Sequence, residues 1–277
     1  MSSRARTRER REEREKQRKR NRQLLLVGVI AAVAVILVVL LVISNLPADA
    51  TIAPETVALY DGIPQSTTAE GFPLLGNPEA PVSVSEYSSF DCPHCAEFYE
   101  STIPALVERA RAEDISFTYV PLFGTGGIFN GEGAAKAALC AGNQGEFWVY
   151  HGALFHWQTQ FANQAFGANR LEAGAANLGL DVAAWKTCIQ SDATNQVLVA
   201  ANGAASQLDG FTGTPTIAVN GVIVQDANGV VSNALPDINA AIDAALAVAP
   251  ASPSNSNTAG AEATAEVTPE VTQEASQ

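Results

Sequence analysis

Cys92-Pro93-His94-Cys95 is the stretch of this chain whose residue types and spacing could do chemistry. Two thiols separated by two residues can close a disulfide, exchange it with the thiols of another protein, or supply half the ligands of a zinc ion. Val82-Ser83-Val84-Ser85-Glu86-Tyr87-Ser88 alternates β-type residues before the pair, and a helical pattern follows it, so Cys92 is expected at a strand-to-helix junction. Pro93 suits the first helical position, where a backbone N–H would be unpaired in any case. A helix start presents unpaired N–H groups and the positive end of the helix dipole, and both favour a thiolate. A histidine at 94, protonated or hydrogen-bonding, would add to that support. These effects lower the pKa of Cys92, which makes it a good leaving group and the pair an oxidant. Cys95, one turn further on and directed inward, suits a resolving role.

A zinc site is the alternative, but it needs two more ligands, usually a second close pair. The other candidates are Cys140, Cys188, His151 and His156, dispersed through a helical region. Glu86 falls on the strand face that carries Val82 and Val84. A carboxylate buried among valines is costly, and burial raises its pKa, which makes Glu86 a candidate proton acceptor for Cys95; an edge-exposed glutamate without a role is the alternative. Phe147, Trp148, His151 and Phe155 form a helical stripe that reads as core packing, with His151 a satisfied core or rim histidine. Pro215, in Gly213-Thr214-Pro215-Thr216, reads by itself as an ordinary strand-entry proline.

The compartment decides how the cysteines are read. Eleven of the 16 Lys and Arg precede Leu24, together with four of the 29 Asp and Glu. The remainder of the chain therefore holds five basic against 25 acidic residues, a body that repels nucleic acid and anionic headgroups. Leu24 to Ile43 is a run of twenty residues without charge or polar side chain, long enough to cross a hydrocarbon core as a helix. Its basic flank places the N-terminus in the cytoplasm. Ala48-Asp49-Ala50 resembles a signal-peptide cleavage site, but the apolar run and the charged head are both long for a cleaved signal, which favours an anchor. Either way, residues after Asn45 face an oxidising space, where disulfides persist. Cys140 and Cys188, 48 positions apart in expected helices, are then expected to form a structural bridge; two unpaired buried cysteines are the alternative.

The expected organisation is a basic cytoplasmic head over 1–23, a transmembrane helix over 24–44, a proline-broken tether over 45–70, a folded domain over 71–248, and a disordered low-complexity tail over 249–277. Within the domain, residues 93–112 read as helix interrupted near Ile103-Pro104, and Ile115–Val120 as a second strand closing a right-handed β-α-β unit. Residues from about 130 to 207 read as consecutive helices. Asn220-Gly221 between Thr216–Val219 and Val222–Val224 signals a two-residue hairpin. A closing amphipathic helix over 236–248 presents Ile238, Ala241, Ile242, Ala245 and Leu246 on one face.

The run from Val84 to Cys95, the segment Gln144-Gly145-Glu146-Phe147-Trp148 with His151, and Thr214-Pro215 resemble the DsbA-like thiol-disulfide oxidoreductases of the thioredoxin superfamily, in a membrane-anchored bacterial form. The resemblance covers about residues 72–248. It implies an α/β thioredoxin-like fold with a helical insertion. It further implies Cys92 as nucleophile, with Pro93 and His94 between the sulfurs, Cys95 as resolving cysteine and Glu86 as buried acid. Pro215 would be cis, with Thr214 binding an extended substrate peptide. The implied activity is the introduction of disulfides into reduced exported proteins, without organic cofactor or metal, followed by re-oxidation through a membrane quinone-linked partner. The rivals are an extracytoplasmic reductase or isomerase, and a metal carrier using Cys92, His94 and Cys95.

Overall fold

The computed structural model of the protein describes residues 3–44 and 48–249, so the tail expected from 249 onward lies, after its first residue, outside the described residues. The basic head and the apolar run form one helix, α1 (Ser3–Ser44). Its Lys16–Val42 stretch is long and apolar enough to cross a membrane, and no part of that window is buried within the protein. Such a helix fits a membrane anchor or a signal sequence.

The segment expected to be a tether is largely part of the domain. Residues 48–70 carry α2 (Pro54–Tyr60) and β1 (Gln65–Thr67). Asn177 donates to the Ala50 carbonyl at 2.9 Å, the Trp157 indole donates to the Thr51 carbonyl at 2.9 Å, and the Arg170 guanidinium donates to the Asp49 carbonyl. Ala50, Tyr60 and Ile63 are buried. A seven-residue helix that opens on a proline carries too little periodicity to signal itself; packing of Thr56 and Tyr60, one turn apart on one face, stabilises α2 instead. β2 (Pro73–Leu75) was not expected either, being three residues long.

β3 (Val82–Ser89) leads into α3 (Pro93–Ser101) and α4 (Ile103–Arg111), which break at Thr102 before Pro104, and then into β4 (Ile115–Leu122). β3 and β4 run parallel, with Glu86 opposite Tyr119. The helical insertion follows as α5 (Gly131–Gly142), α6 (Phe147–Phe161), a 3₁₀ turn at Ala162–Gln164, α7 (Ala168–Asn177), α8 (Val182–Ile189) and α9 (Asp192–Gln207). α6 is apolar nearly all round, so it lies inside the domain, with Trp148, Tyr150, Leu154 and Trp157 fully buried. Asp181 caps α8 by accepting from the backbone N–H groups of Ala183 and Ala184 at 2.9 and 3.0 Å.

The chain closes with β5 (Thr216–Val219), β6 (Val222–Ile223) and α10 (Leu235–Val248). Asn220 and Gly221 have φ of 49° and 79°, the pair of positive angles that a two-residue type I′ turn requires. The Asn220 side chain also accepts from the Ser83 N–H at 2.9 Å, tying the turn to β3. Ile238 and Ile242 bury the inner face of α10. The six strands are ordered β1-β2-β4-β3-β5-β6. β3 is therefore flanked on both sides, and its inward side chains reach the middle of the domain. α9 packs on β4, where Ala201 and Ala205 meet Phe72, Val120 and Leu122 in a second apolar cluster.

Candidate active site

Cys92 caps α3 in extended conformation, and its carbonyl accepts from the N–H groups of Cys95 and Ala96 at 3.1 and 3.3 Å. Pro93 opens the helix. The two cysteines are in the dithiol form, both buried, Cys95 completely. A hydrogen bond from the Cys95 thiol, followed by those from Thr214 and from the backbone N–H groups of Cys95 and His94, outweighs burial and pulls the Cys92 pKa down to about 5. Cys95 moves the opposite way, raised first by burial and then by its bond to Cys92 and the negative charge there. One sulfur is thus held as thiolate and its neighbour as thiol.

His94 acts differently from expectation. Its side chain is 77 % exposed and points at Glu97, with Nδ1 at 3.3 Å from Oε2. On a helix, residues three apart are neighbours, so the ring turns outward along α3 and the backbone N–H is what reaches the Cys92 sulfur.

Glu86 is buried on the central strand, and neither carboxylate oxygen has a hydrogen-bond partner at good geometry. Burial pushes its pKa up to about 8, offset in part by the nearby Ser88 hydroxyl. Thr214-Pro215 is a cis peptide, and the Thr214 carbonyl lies 3.5 Å from the Cys92 sulfur. Thr214 also donates to Thr125 at 2.8 Å, closing the side of a groove lined by Cys92, His94, Phe123, Thr125, Phe211 and Thr214.

Cys140 and Cys188 are bonded, linking α5 to α8 with Cα atoms 5.7 Å apart. His151 sits at the centre of an aromatic cluster, its ring 4.7 Å from that of Tyr119 and 5.5 Å from that of Phe90. It is fully buried, and burial lowers its pKa to about 3, so it is neutral. It is a core histidine, as expected, and neither ring nitrogen has a protein hydrogen-bond partner.

Three supports escaped the sequence reading. Gln158 on α6 donates its amide to the carbonyls of both Phe90 and Cys92, the latter at 3.1 Å, and so holds the turn before α3. Nothing in an aromatic stripe marks a glutamine for that task. Asp91, buried, accepts from Ser89 and from the Gly124 N–H at 2.9 Å. Gly126 passes so close to Asp91 that a Cβ would fall 2.0 Å from its carbonyl oxygen, and the glycine-rich run after β4 was the available signal. Ser88, fully buried, lies on the face of Glu86 and beside Cys95.

The sequence profile of the thioredoxin family matches residues 68–243. The chain belongs to the thioredoxin family. Its sheet, with the central parallel pair, the helical insertion and the hairpin after the cis-proline, is the thioredoxin-like α/β arrangement. A protein of Rickettsia typhi named as a protein-disulfide oxidoreductase is 29 % identical over 174 residues, covering 62 % of this chain and 61 % of the relative. The chain thus spans about three fifths of the length of the curated relatives it matches. A thioredoxin-like oxidoreductase of Silicibacter pomeroyi superposes with a TM-score of 0.51 at 28 % identity, covering 65 % of this chain and 94 % of that one. Oxidised BdbD of Bacillus subtilis shares the fold, with a TM-score of 0.55 at 21 % identity over 65 % of this chain and 96 % of that one.

Proposed function

We propose that the protein is a membrane-anchored thiol-disulfide oxidoreductase that introduces disulfides into reduced exported proteins through Cys92 and Cys95. The observation that carries this reading is the unequal pair at the start of α3, a stabilised thiolate at Cys92 beside a buried thiol at Cys95. A stabilised Cys92 thiolate favours the reduced form of the enzyme, and a pair whose reduced form is stabilised is an oxidant. A substrate thiolate attacks the Cys92 sulfur of the oxidised pair, the Cys92–Cys95 bond breaks, and Cys95 leaves and takes up a proton. A second substrate thiolate then attacks the substrate sulfur of the mixed disulfide and expels Cys92 as thiolate. The substrate gains one disulfide and the enzyme two electrons. Thr214 and the groove around it would hold the substrate backbone, and Glu86 would exchange the proton with Cys95. Re-oxidation falls to a membrane quinone-linked partner, as in other DsbA-like systems. α1 would cross the membrane with its basic end in the cytoplasm, placing the domain outside.

Equilibration of the 92–95 pair with glutathione tests the direction. A pair as reducing as cytosolic thioredoxin would make the protein a reductase instead. Cys92→Ser should abolish oxidation of a reduced unfolded substrate, and Cys95→Ser should accumulate mixed disulfides. Undiminished turnover of Cys92→Ser would remove the mechanism.

A further inference from the structure

Beyond β4 and Phe123 the chain reads Gly124-Thr125-Gly126-Gly127, and each glycine has a physical reason. Gly124 and Gly127 hold φ of 75° and 83°, in the left-handed region that side chains rarely adopt. Gly126 lies where a Cβ would meet the Asp91 carbonyl and the Cys92 Cα. Thr125 is thus the one side chain that this run carries.

The run is pinned to the residue before Cys92. The Gly124 N–H donates to the Asp91 carboxylate at 2.9 Å, and the Ile128 N–H donates to the Asp91 carbonyl at 3.4 Å. Asp91 is itself buried and accepts from Ser89, so the anchor is fixed to the end of β3. From that anchored run Thr125 reaches the opposite wall of the groove, where its Oγ1 accepts from the Thr214 hydroxyl at 2.8 Å. Among the described residues no other side chain bonds that hydroxyl. The Thr214 carbonyl in turn faces the Cys92 sulfur at 3.5 Å. Cys92, Asp91, Thr125 and Thr214 therefore close a ring of contacts around the reactive atom, and Thr125 is its one link between the two walls.

We propose that Thr125 is a positioning residue for thiol-disulfide exchange. It fixes Thr214, and with it the backbone edge on which an extended substrate peptide lies, at a set distance from the Cys92 sulfur. A wall held in place before the peptide arrives lowers the ordering cost of binding, so the effect falls on peptide affinity more than on bond exchange. The assignment rests on the oxidoreductase reading.

The test is single-turnover oxidation of a reduced dithiol peptide by the pre-oxidised full chain in detergent, acid-quenched, over a range of peptide concentrations. Thr125→Val keeps the shape and removes the hydroxyl. It should raise the half-saturating peptide concentration about three- to tenfold, the span of one neutral hydrogen bond. The limiting rate should fall by less than about twofold, the signature of lost binding rather than lost chemistry. Thr125→Ser, which keeps the hydroxyl, should restore the original half-saturation. Thr125→Val combined with Thr214→Val should bind no more weakly than the weaker single variant, because the two hydroxyls act as one unit. If Thr125→Val fails to fold, Thr125→Ala takes its place. An unmoved half-saturation, a Thr125→Ser variant as impaired as Thr125→Val, or losses that multiply in the double variant would overturn the assignment. Failure of the unmodified protein to oxidise the peptide at any concentration would instead sink the oxidoreductase reading, and the assignment with it.

Discussion

The sulfur of Cys92 faces the backbone carbonyl of Thr214 at 3.5 Å, across 122 positions of sequence. The start of α3 and the loop before β5 therefore meet at the reactive atom. Alkylation of Cys92 in the reduced protein should be half-maximal near pH 5, far below an ordinary thiol. The largest cause is the Cys95 thiol, so Cys95→Ala should move the midpoint upward, as read from iodoacetamide rates against pH. An unmoved midpoint would assign the depression to the helix start instead.

Glu86 should make stability depend on pH with a definite sign. Its folded pKa of about 8 lies above the ordinary value of 4.5, so its contribution is complete below 4.5 and lost as pH rises through 8. Glu86→Gln carries no charge to desolvate. The variant should therefore gain in urea midpoint relative to the unmodified protein between pH 5 and pH 9, with the larger advantage at pH 9. A pH-independent difference would contradict a buried, titrating carboxyl.

Gln158 bonds the Phe90 carbonyl ahead of α3 and adds a further donor to the Cys92 carbonyl, which already accepts from the N–H groups of Cys95 and Ala96. Gln158→Ala should cost about 1–3 kcal/mol by removing the donor to the buried Phe90 carbonyl, measured by denaturant unfolding. The same variant should loosen the turn before α3 and slow substrate oxidation. Stability and rate both at the original level would show that the bonds are dispensable.

The Cys140–Cys188 bridge closes a separation of 48 residues across α5 and α8. Replacing both cysteines by serine should remove about 4 kcal/mol on the chain-entropy account, generally an upper figure. For a domain of this size that lowers Tm by on the order of 10 °C. Turnover at 25 °C should persist, because neither cysteine lies in the groove at Cys92. Loss of turnover without loss of Tm would instead make this bridge part of the redox chemistry.

What depends on neighbours along the chain is legible in the residue order alone. The Cys92–Cys95 spacing, the strand before it, Pro93 at the helix start, the Asn220-Gly221 turn and the apolar face of α10 all follow from local period and propensity. Tertiary structure decided what depends on atoms far apart in sequence. It placed 48–70 against α6 and α7 through long side chains bonding backbone carbonyls, where the proline-broken composition suggested a tether. It turned the His94 ring toward Glu97 and left its backbone N–H to the sulfur. It also enclosed Cys95 completely and set Ser88 of β3 beside it, a partnership that no spacing records. The motif names the sulfur that reacts, and only the packed interior, by excluding water from Cys95, keeps its neighbour a thiol.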